Sequence, residues 1–180
     1  MNMKTKRITL DAVLTALALS VFIIEQQIPL PIPVPGVKLG LSNVITLFAL
    51  FAVSPLDALL ILSLRIGIGN VFAGSVTGLI FSAAGGLLCY VTELILYKFL
   101  TDRQIWVCGV FGAIAHGVGQ IFAAVVVMAT AEIFIYLPVL ILCGIVTGAL
   151  TGSLAQVSVI KLKKVFPFLP FHRKNEEKQN

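Results

Sequence analysis

Long apolar runs separated by short polar breaks fill the chain from Leu10 to Ile160. A helix needs about 20 apolar residues to cross the hydrocarbon of a bilayer. Six such runs with short loops, plus two charged tails, use almost all of the 180 residues. Only 12% of the chain is charged and 58% is hydrophobic, with a mean hydropathy of +1.04. A soluble domain is about a quarter charged. A soluble domain, a disordered tail and a nucleic-acid-binding module are therefore excluded, and no length is left for a separate catalytic domain. The expected fold is all-α: a polytopic membrane protein with a six-transmembrane-helix bundle.

The runs divide as follows. Residues 1–8 are expected to form a basic cytoplasmic N-terminus, residues 9–160 the six-helix transmembrane domain, and residues 161–180 a basic, polar cytoplasmic tail. The first span covers Leu10 to Ile28; no persuasive cleavage site follows it, so it reads as a retained span and not a signal peptide. The run Ile28-Pro29-Leu30-Pro31-Ile32-Pro33-Val34-Pro35-Gly36 then forces an extended connector. Further spans are expected at about Leu39–Val53, Leu56–Phe72, Val76–Leu100, Trp106–Met128 and from Pro138 to near Ile160.

Charge orients the bundle. Eleven of the 13 Lys and Arg residues lie in the N-terminal head, around the Thr101–Gln104 loop or in the C-terminal tail. Six spans place all of these on one side, which by the positive-inside tendency is the cytoplasm of a cell-membrane protein. The pI near 9.3 is thus a topology signal and no sign of nucleic-acid binding. Cys89, Cys108 and Cys143 form no CxxC pair and read as small hydrophobes within spans.

Polar residues inside spans are costly and therefore informative. Arg65 lies roughly 13 Å into the third span at 1.5 Å per residue. It either bridges to Glu93 on the fourth span or faces a polar cavity and receives an acidic group. Glu25, Lys38, Asn43, Asn70, His116 and Gln120 occupy the same outer half of the expected topology. That coincidence of depth suits a ligand pocket between helices, and it also suits a structural polar network. Small residues mark a second pattern. Gly144, Gly148 and Gly152 give the sixth span a smooth face for close helix packing, and Ala12, Ala16 and Ser20 give the first span a face for an external membrane partner.

No ATP-binding loop, HExxH pair, DDxxD-type acidic pair or dinucleotide fingerprint occurs. Nothing supplies a nucleophile for His116. The chain thus reads as a non-enzyme with no cofactor and no metal site.

The string Pro35-Gly36-Val37-Lys38-Leu39-Gly40-Leu41-Ser42-Asn43-Val44-Ile45-Thr46-Leu47 resembles the Gx transporters, whose members also carry the name heptaprenyl diphosphate synthase component I. Glu25, Arg65, Gly112-Ala113, His116, Gln120, Leu137-Pro138-Val139-Leu140 and the Gly144/Gly148/Gly152 series continue the likeness from Lys6 to about Lys164. Gly117 departs from it, since the family often has asparagine after the histidine. The family is similar to the S components of energy-coupling-factor transporters. That resemblance implies a six-helix membrane protein that takes a vitamin, a cofactor precursor or a metal from outside; two bases and one acid near the mouth point to a small, partly anionic molecule, and His116 has no second histidine in the membrane region to hold a metal. It implies Glu25, Lys38, Asn43, Arg65, Asn70, His116 and Gln120 as substrate-binding residues, with Glu25 either binding an amine or positioning Lys38. It implies a transmembrane T component and two cytoplasmic ATPases as partners, the T component meeting an AxxxA pattern matched by Ala12 and Ala16. The alternative is a non-catalytic membrane subunit in heptaprenyl diphosphate, isoprenoid or quinone synthesis.

Overall fold

The computed structural model describes residues 3–28 and 38–165. The helices are α1 (Met3–Glu25), α2 (Asn43–Ala52), α3 (Pro55–Ala73), α4 (Val76–Phe99), α5 (Ile105–Met128) and α6 (Leu137–Val165). A 3-10 turn, Ala131–Tyr136, leads directly into α6. Five segments are long and apolar enough to cross a membrane: the four helices α1, α3, α4 and α5, and the stretch Ala131–Val165 that contains α6. The surface agrees with a lipid solvent. Leu142, Val146, Leu150 and Leu154, one helical turn apart on α6, are each at least 60% exposed. The protein is an all-α, multi-pass membrane bundle.

Local chemistry explains both ends of α3 and the start of α4. Ser54 precedes α3, and its hydroxyl accepts from the Asp57 backbone N–H at 3.3 Å, while Pro55 takes the first helical position without losing a bond. Gly74 closes α3 at φ +59°, a conformation glycine adopts without a Cβ penalty. Ser75 then caps α4 by accepting from the Gly78 N–H at 2.9 Å. Two residues, Gly74 and Ser75, thus reverse the chain between two long helices.

The second span is shorter than its sequence suggests. The expected Leu39–Val53 run is helical only over the ten residues of α2, about 15 Å, half the hydrocarbon thickness. Residues 40–42 are drawn out of the helix because Gly40 turns at φ +79° and Glu25 binds the backbone N–H groups of Gly40 and Ser42. Even so, α2 links the two ends of the bundle. Ser42 meets Glu25 at the C-terminal end of α1, and Ser54 accepts from Arg7 Nη2 at 2.8 Å near its N-terminal end. Eight of the ten α2 residues are buried, and the helix packs against all five others. The Pro-rich connector expected over residues 29–36 lies outside the described residues.

Two further features set the bundle's rigidity. The α5/α6 seam is backbone against backbone: a Cβ on Gly148 would sit 2.6 Å from the Gly109 carbonyl oxygen, and one on Gly152 would sit 2.8 Å from the Trp106 Cα. Gly144 faces the Ala113 carbonyl in the same way, at 3.2 Å. At the end holding the start of α1 and the end of α6, Arg7 pairs with Asp57 at 2.7 Å and Lys163 with Asp102 at 3.0 Å. These pairs tie α1 to α3, and α6 to the α4–α5 loop.

Candidate functional site

The seven polar residues singled out from the sequence lie at the opposite end, around the start of α2. Six of them are at most 6% exposed: Glu25, Asn43, Arg65, Asn70, His116 and Gln120. Lys38, in the connector, is half-buried. Glu25 is the last residue of α1. One carboxylate oxygen accepts from the Gly40 N–H, the other from the Ser42 N–H at 3.2 Å and the Ser42 hydroxyl at 3.1 Å. Ser42 Oγ also accepts from Arg65 Nη1, so α1, the connector and α3 meet at one hydroxyl. Glu25 therefore positions the connector with both of its oxygens.

Lys38 is held from three sides. Its backbone N–H donates to Gln120 Oε1 at 3.3 Å, and its ammonium donates to Asn70 Oδ1 at 3.4 Å. The ammonium also lies 3.7 Å from the centroid of the Phe22 ring, and the Arg65 guanidinium carbon is 5.9 Å from that centroid. Two cations thus share one buried aromatic ring. Phe22 is held against α3, where a Cβ on Gly69 would approach its ring to 2.6 Å. Burial, opposed by the charge of Glu25 and assisted by that of Arg65, pushes the Lys38 ammonium down to about 8.

His116 and Gln120, one turn apart on α5, flank this group. The His116 ring is enclosed between Gly40 and Gly85: Cβ atoms built there would lie 3.1 Å from its Cδ2 and its Cε1 respectively. Gln120 Nε2, His116 Nδ1 and Arg65 Nε are buried without a hydrogen-bond partner among the described residues. Asn43 points away from Lys38 and donates to Cys89 Sγ at 3.4 Å, and Cys89 in turn donates to Glu93 Oε1 at 3.3 Å. Glu93 is packed against Gly112, where a Cβ would lie 2.5 Å from its Oε1. Among the described residues no ion pair joins Arg65 to Glu93; Arg65 is bound to Ser42 instead.

Sequence reasoning missed Phe22, Ser42 and Cys89. Phe22 looks like any apolar span residue, and Ser42 like a cap. Cys89 carried one usable signal, its place four residues before Glu93 on the same helix face.

The partner and packing residues are also placed. Ala12, Ala16 and Ser20 are exposed along one side of α1, and the Ser20 hydroxyl turns back to the Ala16 carbonyl at 2.9 Å. Gly144, Gly148 and Gly152 are buried against α5. A separate concavity of about 500 Å³ opens between α4 and α5, lined by Ile80, Ala84, Leu87, Leu88 and Val91 of α4 and by Gly119, Phe122, Ala123, Val126 and Val127 of α5. Among the described residues no charged side chain lines it.

Residues 14–158 match the family model described as heptaprenyl diphosphate synthase component I. No curated protein and no solved structure matches the chain.

Proposed function

The chain belongs to the heptaprenyl diphosphate synthase component I family, and from that premise we propose that it is a membrane-embedded, non-catalytic component that binds a small polar solute for import. In this reading it is the substrate-binding S component of an energy-coupling-factor type transporter. One observation carries it. Side chains from α1, the connector, α3 and α5 converge on one buried polar cluster, and three of their polar atoms have no partner among the described residues. A purely structural network would spend its buried donors internally, because an unpaired one costs about 1–3 kcal/mol. Here Gln120 Nε2 and Arg65 Nε are donors held in reserve.

The site faces outside and both termini lie in the cytoplasm, which accords with the basic residues gathered at the other end of the bundle. The exposed Ala12/Ala16/Ser20 strip on α1 receives a transmembrane T component, whose two cytoplasmic ATPases drive reorientation of the bundle. Closely packed α5 and α6 move as one body, while the connector, fixed by Glu25 and Gln120, is the element that must yield to admit solute.

A second reading follows from the family description and the apolar α4/α5 concavity: a subunit that holds a prenyl chain during isoprenoid or quinone synthesis. A prenyl diphosphate would need basic groups at the mouth of that concavity, and its lining has none. The import reading accounts for more of the polar chemistry. Mass spectrometry of small molecules retained by the gently purified protein tests it, alongside uptake into vesicles containing the protein and its partners. A polar metabolite retained by the parent and taken up in an ATP-dependent way is expected. Retained prenyl diphosphates or quinone precursors without uptake would move the assignment to the second reading.

A further inference from the structure

We propose that the cluster binds an oxyanion, a carboxylate or phosphate group of the solute, between the Lys38 ammonium and the Arg65 guanidinium, with Phe22 as the shared floor. This rests on the solute-binding reading above and names the ligand chemistry that reading leaves open.

The argument starts from charge accounting. Lys38 and Arg65 approach the same ring, and among the described residues neither has a carboxylate at ion-pair distance. The connector residues 29–37 carry no acidic side chain that could serve instead. Glu25 is the acid nearest in function, but its two oxygens are occupied by Gly40 and Ser42. Two cations are therefore held in a largely buried site without an ion pair: Glu25 is committed to backbone and hydroxyl donors, and Glu93, the other buried acid near Arg65, accepts from Cys89 and does not reach the guanidinium. Burying a cation without a counter-charge is strongly unfavourable. The aromatic face and the 3.4 Å contact to Asn70 offset part of that cost for Lys38.

The geometry of Arg65 supplies the second argument. Its one hydrogen bond among the described residues runs from Nη1 to Ser42 Oγ, and Nε is buried and unpartnered. The unspent edge is the Nε–Nη2 side, the fork that reads two oxygens of a planar or tetrahedral oxyanion at once. Gly86 of α4 lies beside this edge: a Cβ there would be 3.8 Å from Nη2, with Ile66 and Leu62 closer still at 2.9 and 3.2 Å, so the glycine spares the fork one more apolar neighbour. Gln120 Nε2 is a further donor, and it is attached to the Lys38 backbone through its own oxygen. The groups left free beside Lys38 thus include two donors, Arg65 Nε and Gln120 Nε2, and the two charges there without an ion pair among the described residues are cations. A neutral or cationic solute would leave them unanswered.

The test uses the full-length protein in detergent. Its thermal unfolding is followed with sodium succinate, orthophosphate and pyrophosphate, each against sodium chloride at matched ionic strength. At least one oxyanion is expected to raise the melting temperature saturably. Lys38→Met, which keeps the chain's reach and apolar contact with Phe22, is expected to weaken the apparent Kd about tenfold or more, while its melting temperature in chloride is at least that of the parent, because a cation buried without a counter-charge is gone. Arg65→Lys should weaken it as well, since it keeps the charge and loses the fork. A response to succinate alone assigns a carboxylate, and a response to either phosphate probe assigns a phosphate group. No saturable rise with any probe, or an equal rise in Lys38→Met, overturns the proposal. The uptake assay separates the two layers. Anion binding without uptake defeats the transport reading alone, whereas uptake of a neutral or cationic solute that Lys38→Met leaves unchanged defeats the oxyanion assignment alone.

Discussion

Glu25 holds Ser42 twice, through its backbone N–H at 3.2 Å and its hydroxyl at 3.1 Å. Together with the bond to the Gly40 N–H, this makes a carboxylate at the end of α1 the reason that α2 starts where it does. Buried acids in membrane proteins invite a ligand-binding role. Here the acid's bonding capacity is directed at the chain itself, and the cations beside it are left for something else.

Glu25→Gln therefore tests architecture. The amide offers one good acceptor and presents a donor where the second should be, so one of the three bonds becomes a donor–donor clash. A loss of roughly 1.5–3 kcal/mol is expected, the range for hydrogen bonds to a charged group. It should appear as a lower melting temperature in detergent, before any solute is added. A variant as stable as the parent would show that the connector is held by other contacts.

How far the sequence reveals such relationships depends on their range. The α3 boundaries were readable because Ser54-Pro55 and Gly74 act on their own neighbours. The Pro138 signal was readable for the same reason, lying in the first turn of α6. The start of α2 was not, because it is set by Glu25, far away in the chain, and no periodicity records that. The polar members of the site stood out against an apolar background, since each is expensive in a membrane. Phe22 did not stand out, because its role comes from what lies over its face. Arg65 left two readings open in the sequence; its bond to Ser42, three residues beyond Leu39, separates it from Glu93.

The α5/α6 seam yields a prediction on packing. Gly148→Ala places a methyl 2.6 Å from the Gly109 carbonyl oxygen and 2.7 Å from the Val110 Cα, both backbone atoms that cannot swing aside. Overpacking of this kind costs about 1–3 kcal/mol. Gly67→Ala is the matched control, since nothing lies within 4 Å of its added methyl. It is expected to leave stability unchanged or slightly raised, by the better helix propensity of alanine. Equal melting temperatures for the two variants would mean that α5 and α6 can separate without loss.

On α1, the exposed Ala12/Ala16/Ser20 strip predicts an effect on assembly with none on solute binding. Ala16→Trp adds a large ring to a face of α1 that is exposed among the described residues. Close approach of another helix depends on small residues at such a face. Co-purification with the transmembrane partner should fall at least tenfold, and the oxyanion-dependent rise in melting temperature should persist. Intact co-purification would remove this face as the docking surface.

Lys38 should leave a signature in pH. Its ammonium is shifted to about 8, first by burial, with Glu25 on α1 opposing the shift and Arg65 on α3 adding to it; His116 on α5 is the other titratable group facing it. In the unfolded chain the same group titrates near 10.5. Between these values the unfolded state binds a proton that the folded state has released. Stability of the ligand-free protein should therefore rise with pH from about 8 to 10.5, and this residue should contribute no slope well below 8. Lys38→Met should abolish that increment, so the difference between the two melting curves isolates it from other titrating groups. Oxyanion affinity should move the opposite way, falling as pH passes about 8 and the ammonium is lost. Parallel curves for parent and variant across the window would show that the Lys38 ammonium is as well solvated in the folded protein as in the unfolded chain.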